Sequence, residues 1–105
     1  MIARHWRGTA KASEADNYIR HLTEGTFLQL AEIPGFVAAS VLRRDRDDGV
    51  EFLVITEWES MEAIRRFAGD DIGIAVVPAA AQAMLVVFDR HADHFEVVAR
   101  RGGGR

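Results

Sequence analysis

The chain has 105 residues, no cysteine and a formal net charge of −3, and its 49% apolar content fits a folded globular protein. Its length suits one domain with one core, and no apolar run is long enough to span a membrane. The lack of cysteine excludes disulfides, thiolate metal sites and a cysteine nucleophile, and it fits the cytoplasm. The N-terminus has no basic region followed by an apolar stretch, so no signal peptide is expected. Basic residues are scattered among acids, which argues against nucleic acid as a partner.

Ile2 to Gly8 alternates and carries Trp6, which predicts a first strand. Ser13 reads as a helix N-cap, with Asp16 three residues on in the place of a capping box. Ala15, Tyr18, Ile19, Leu22, Thr26, Leu30 and Ile33 recur at spacings of three to four, the period of an amphipathic helix. Gly25 interrupts that helix at about 1 kcal/mol relative to Ala, so a bend or restart is expected there. Pro34-Gly35 ends it. Phe36 to Leu42 reads as a second strand. Arg43 to Gly49 is polar and ends in Asp-Gly, a hairpin signal. Val50 to Trp58 is the third strand. Ser60 caps a second helix with Met61, Ile64 and Phe67 as its buried stripe, and Gly69 suits its end. Asp70 to Pro78 reads as a loop.

Residues 79–90 stay open between two states. Their Ala-rich start favours helix, and Leu85 to Phe88 favours strand. His94 to Ala99 is the last strand, and Arg100 to Arg105 reads as a disordered tail. The order is βαββαβ, an α+β, ferredoxin-like fold with an antiparallel sheet, in one domain over residues 1–99.

Side chains alternate between the faces of a strand. On the third strand Phe52, Val54, Thr56 and Trp58 share one face, while Leu53 and Ile55 lie on the other with Glu57 at the end. The second strand divides into Phe36, Ala38 and Ser40 against Val37, Ala39 and Val41. A sheet with one wet face would alternate apolar and polar. Two helices cover one face only, and a large apolar patch on the other needs a partner. The simplest cover is a second copy, giving a homodimer through the open sheet face. The other reading folds residues 79–90 over it.

These segments resemble the antibiotic biosynthesis monooxygenase-like superfamily of dimeric α+β barrels. The likeness rests on MIARHWRG, ADNYIRHL, PGFVAASVLRR, EFLVITEWESMEAIRRFAG and HFEVV, with Trp58-Glu59-Ser60 the most specific part. The resemblance implies that fold and a choice of activities: cofactor-independent oxidation of phenols, haem degradation, quinol oxidation, or none. Haem-degrading members are similar in carrying an Asn on the first strand and a Trp and a His on the second helix. Here His5 or Trp6 stands near the Asn position, Phe67 takes the place of the Trp, and Val76-Val77-Pro78 offers no His. The resemblance therefore does not extend to that mechanism. Nor is the Asn, Trp, Tyr and Arg set of the polyketide-oxidising members matched, since the one Asn, Asn17, starts the first helix.

Six residues are candidates for chemistry. A neutral imidazole at His94 or His5 can take a phenol proton; the plain alternative is a strand histidine bonded to backbone or solvent. His94 is expected beside the first strand. Trp6 and Trp58, with Phe67, can wall a pocket for a flat aromatic ligand or simply pack the core. Arg4 shares a face with Trp6. If that face is buried, Arg4 needs an anionic partner, either Glu57 or Glu96 or a ligand carboxylate or phenolate. His21 reads as facing solvent and His91 as loop surface. His91, Asp93 and His94 also allow a metal reading, but adjacent strand positions point apart and no second cluster completes a site. No metal or other cofactor is called for. With the resemblance, the chain reads as a cofactor-independent monooxygenase-like protein for a small aromatic or phenolic compound, or as a non-catalytic, stress-related dimer of the same fold that binds a small ligand or stabilises another protein.

Overall fold

Nine residues, Ile2–Ala10, form β1, around which the sheet is built. The computed structural model describes residues 1–103. The other strands are β2 (Phe36–Arg46), β3 (Gly49–Trp58), β4 (Leu85–Phe88) and β5 (Asp93–Glu96). Their order is β2-β3-β1-β4, with β5 also on β1, and every pairing is antiparallel. β3 follows β1 along its whole length, from Ile2 opposite Trp58 to Ala10 opposite Val50. The other edge of β1 is shared: β4 takes Gly8 to Ala10 and β5 takes Ile2 to His5.

The first helical segment is composite. A 3-10 turn (Ala12–Glu14) leads into α1 (Ala15–His21), a π turn (Leu22–Thr26) and α2 (Phe27–Ala31). Ser13 lies inside the 3-10 turn and caps nothing, so the expected N-cap is corrected. The irregularity expected at Gly25 is the π turn. A π turn carries one residue more per cycle than an α turn. The buried stripe therefore passes from Tyr18 and Leu22 to Phe27 and Leu30.

The hairpin turns on Asp47-Asp48, and Gly49 already pairs with Arg46. Gly49 has a φ of +144°, and a Cβ there would strike the Ala10 carbonyl oxygen. Only glycine combines that conformation with that approach. Near its start β2 carries a bulge between Phe36 and Ala38. The extra residue changes the facing. Phe36 joins Ala39 and Val41 on the helix side and meets Trp58 edge-on at 5.3 Å. Simple alternation had put Phe36 with Ala38 and Ser40.

α3 (Met61–Ala68) starts at Ser60, whose Oγ accepts the Ala63 N–H at 3.1 Å. Its buried stripe is Ala63, Ile64 and Phe67, while Met61 faces water, a correction of one helical position. Residues 79–90 adopt both expected states in turn: α4 (Ala79–Gln82), then β4. They extend the edge of the sheet and leave its open face uncovered. The last strand is shorter than expected. Residues 100–103 carry no regular secondary structure, although Arg100 pairs with Glu57 at 3.1 Å. The end of the expected tail, Gly104 and Arg105, lies outside the described residues.

The helices lie on one side of the sheet and form two clusters with it. One contains Tyr18, Leu22, Phe52 and Leu85; the other contains Leu30, Trp58, Ala63 and Ile64. Phe27 packs against both.

Candidate active site

A cavity of about 110 Å³ lies between sheet and helices. Arg4, Trp6, Val54 and Thr56 line it from β1 and β3. Tyr18, His21 and Phe27 line it from the helical segment, and Phe67 and Val77 close its sides. The lining is mostly apolar and aromatic, as in small-molecule sites, although the volume is below the few hundred Å³ usual for them.

Arg4 is the charged group of this cavity and is only 5% exposed. Its Nη1 donates to the Ile72 carbonyl and lies 2.8 Å from His94 Nε2, and its Nη2 donates to the Ile74 carbonyl at 3.1 Å. The guanidinium carbon stands 5.8 Å from the Phe67 ring centroid. The expected structural partners are absent from it. Glu57 faces the other side of the sheet and pairs with Arg100, and Glu96 is exposed. Among the described residues Arg4 has no carboxylate partner. Burial accordingly lowers its pKa. A guanidinium held by neutral acceptors alone is an electrostatic deficit that an anion would relieve.

His94 pairs with Arg4 across β5 and β1, as expected for a last strand beside the first. Burial, and then the Arg4 charge, holds its pKa below the ordinary histidine value, partly offset by Asp93. Arginine can only donate, so His94 Nε2 is the acceptor and Nδ1 carries the ring proton. That nitrogen is thereby engaged, and His94 does not line the cavity. His5 points to the open face, where its ring lies 5.0 Å from Phe95. Trp6 lines the cavity and its Nε1 donates to the Asp89 carbonyl at 2.7 Å. Trp58 is fully buried behind it, bonded to Thr56 Oγ1 at 2.8 Å and stacked on Phe67 at 6.0 Å. The structure thus gathers Arg4, Trp6 and Phe67, sets His94 behind Arg4, and leaves His5 and Trp58 outside. Among the described residues no group of three or more His, Asp or Glu stands close enough to hold a metal ion.

Two lining residues escaped the sequence reading as site groups. Tyr18 appeared there as core, and burial pushes its phenol up, so it remains a donor at neutral pH. His21 appeared as solvent-facing, yet it is half-buried and stacked on Tyr18 at 6.1 Å. The signal was their spacing: residues three apart share a helix face.

The sequence matches the family model for antibiotic biosynthesis monooxygenases over residues 1–72. No curated protein matches it. The chain is similar in structure to the haem degrader MhuD of Mycobacterium tuberculosis with two haems bound (20% identity, 97% of this chain and 100% of that one, TM-score 0.67). It is similar to SnoaB, a cofactor-independent oxygenase of Streptomyces nogalater (22%, 99% and 97%, 0.63). A Streptomyces coelicolor monooxygenase in complex with nanaomycin D is also similar (18%, 98% and 92%, 0.62). Likeness at these identities is one of fold. Among the described residues no helix is long and apolar enough to cross a membrane. The family model covers more than half of the sequence, and the chain belongs to the antibiotic biosynthesis monooxygenase family.

Proposed function

We propose that this chain is a cofactor-independent monooxygenase of the cytoplasm that oxidises a small aromatic or phenolic compound in the cavity between sheet and helices. One observation carries the reading: a buried Arg4 without an anionic partner stands in an aromatic cavity. A phenolate or enolate supplies the missing negative charge, and Trp6 and Phe67 supply flat apolar walls. The substrate brings the electrons. Once deprotonated, an anthrone-like ring passes them to O2, gains one oxygen atom as a carbonyl, and releases the other as water. The protein supplies desolvation, orientation and charge stabilisation. His94 holds Arg4 in place through the 2.8 Å contact. Similarity to SnoaB and to the nanaomycin D complex supports the choice.

The working unit in this proposal is a homodimer joined through the open sheet face, where Leu53, Ile55 and the 54% exposed Phe95 stand. A second reading, a non-catalytic dimer that binds a small ligand, is favoured by the small cavity. Oxygen uptake with a panel of quinols and anthrones separates the two. The proposal expects consumption above buffer, unchanged by chelator. Binding of the same compounds without consumption selects the second reading.

A further inference from the structure

We infer that His21 is the proton acceptor of this cavity, in place of His94 and His5. The inference rests on reading the cavity as a site for an acidic aromatic compound. His21 lines the cavity from the last position of α1, beside the π turn, and the Tyr18 ring holds its imidazole by stacking at 6.1 Å. Among the described residues its side chain forms no hydrogen bond or ion pair. Its nitrogens are free to meet a ligand. The other three histidines lack that freedom or that position, and His91 is exposed and does not line the cavity. His94 Nε2 accepts from Arg4, and His5 lies across the sheet.

The two poles of the cavity fit one proton transfer. Arg4 sits at the Thr56 position of the sheet, and Tyr18 packs on Phe52, which pairs with Gly8. Arg4 lines the cavity from β1 and His21 lines it from the end of α1. An aromatic compound held between sheet and helix presents its oxygen to the guanidinium and its acidic C–H to the imidazole. For an anthrone, the methylene C–H breaks and an N–H forms on His21. The electron pair moves through the ring to the carbonyl oxygen, which becomes an enolate held by Arg4. The imidazolium then returns its proton to water, because His21 is half-exposed.

Two measurements on the full-length protein test this, with anthrone as the probe. Anaerobic exchange of the methylene hydrogens in D2O reads the proton transfer alone, and oxygen uptake reads the whole reaction. His21→Gln and His21→Ala are each expected to slow exchange by about 10²–10⁴-fold with KM little changed. Added imidazole should restore exchange in His21→Ala, as a mere packing defect would not allow. His5→Gln, a change on the other face of the sheet, should retain exchange within a few fold. Wild-type exchange rates in both His21 variants, or an equal loss in His5→Gln, would overturn the inference. Exchange that depends on His21 without oxygen uptake keeps the inference and removes the monooxygenase reading.

Discussion

On β3, Phe52, Val54, Thr56 and Trp58 face the helices, and Leu53, Ile55 and Glu57 face away from them. The first set meets two packed clusters, a charged arginine and a cavity. The second shares its surface with Leu42, Val87 and Phe95, each about half exposed, and with the Arg44–Glu51 ion pair. Both sets are apolar, so hydrophobicity alone does not separate them. What differs is completion: one face is finished by this chain's own helices and the other is not. The helix face is where substitutions should cost folding, and the open face is where they should cost association.

Trp58→Ala offers the sharpest version of that contrast. It removes the fully buried ring between Phe36 and Phe67 and the Thr56 hydrogen bond. The expected loss is about 3–5 kcal/mol, the range for truncating a core aromatic. Urea unfolding measures it, and a loss under about 1 kcal/mol would mean that this face is not the organised core. The matching change outside is Ile55→Asp. It should leave the folded chain's circular dichroism intact and convert a dimer into a monomer by light scattering at micromolar concentration. Unchanged dimer mass would move the interface elsewhere, and a wild-type monomer would remove it altogether.

Arg4→Met breaks the comparison from within the helix face. Removing the charge takes away the group proposed to hold a phenolate, and hydrogen bonds to charged groups contribute about 1.5–3 kcal/mol. Binding of 2-naphthol, followed by tryptophan fluorescence through Trp6, should weaken by about ten-fold or more. Stability should respond differently. The variant relieves the desolvated charge but leaves the Ile72 and Ile74 carbonyls without a donor. These effects oppose each other, so the melting temperature should move far less than in Trp58→Ala. Equal naphthol affinity in both proteins would sink the anion-site reading.

Alternation and turn chemistry made most of this frame legible. They placed β1, β3 and α3 and put Arg4 beside Trp6, and the ferredoxin-like order of the elements set the last strand beside the first. They failed where one extra residue enters an element. The bulge near Phe36 changes which face that ring occupies, and the π turn at Leu22–Thr26 changes which residues roof the cavity. Neither insertion leaves a mark in residue type beyond Gly25, because it is set by packing against the sheet. The partner of Arg4 was illegible for a related reason. Its acceptors are backbone carbonyls of the loop after α3 and the ring of His94, and a carbonyl has no sequence signature. His21 was assigned to solvent by its neighbour Arg20, although its spacing from Tyr18 already put both on one face.

The smallest expected effect concerns pH and the Arg4–His94 contact. The folded chain depresses the His94 pKa, chiefly by burial and then by the Arg4 charge. The unfolded chain binds that proton at about the ordinary value of 6.5. Above that pH neither state is protonated, and the contact's contribution to stability is fully present. As pH falls below it, the unfolded state takes up a proton that the folded state resists, so stability declines towards the folded pKa. Glu51 adds a separate acid-side loss, because its hydrogen bond to Arg44 holds its carboxyl below the usual range. It acts below about pH 4.5, where glutamate itself titrates. His94→Gln keeps an oxygen acceptor for Arg4 and removes the titration. The melting temperature of the wild type should therefore fall relative to His94→Gln between about pH 7 and pH 5, with the two curves parallel above that window. A gap of the opposite sign would mean that protonated His94 is the form the fold prefers, and Arg4 would then have to turn away from it.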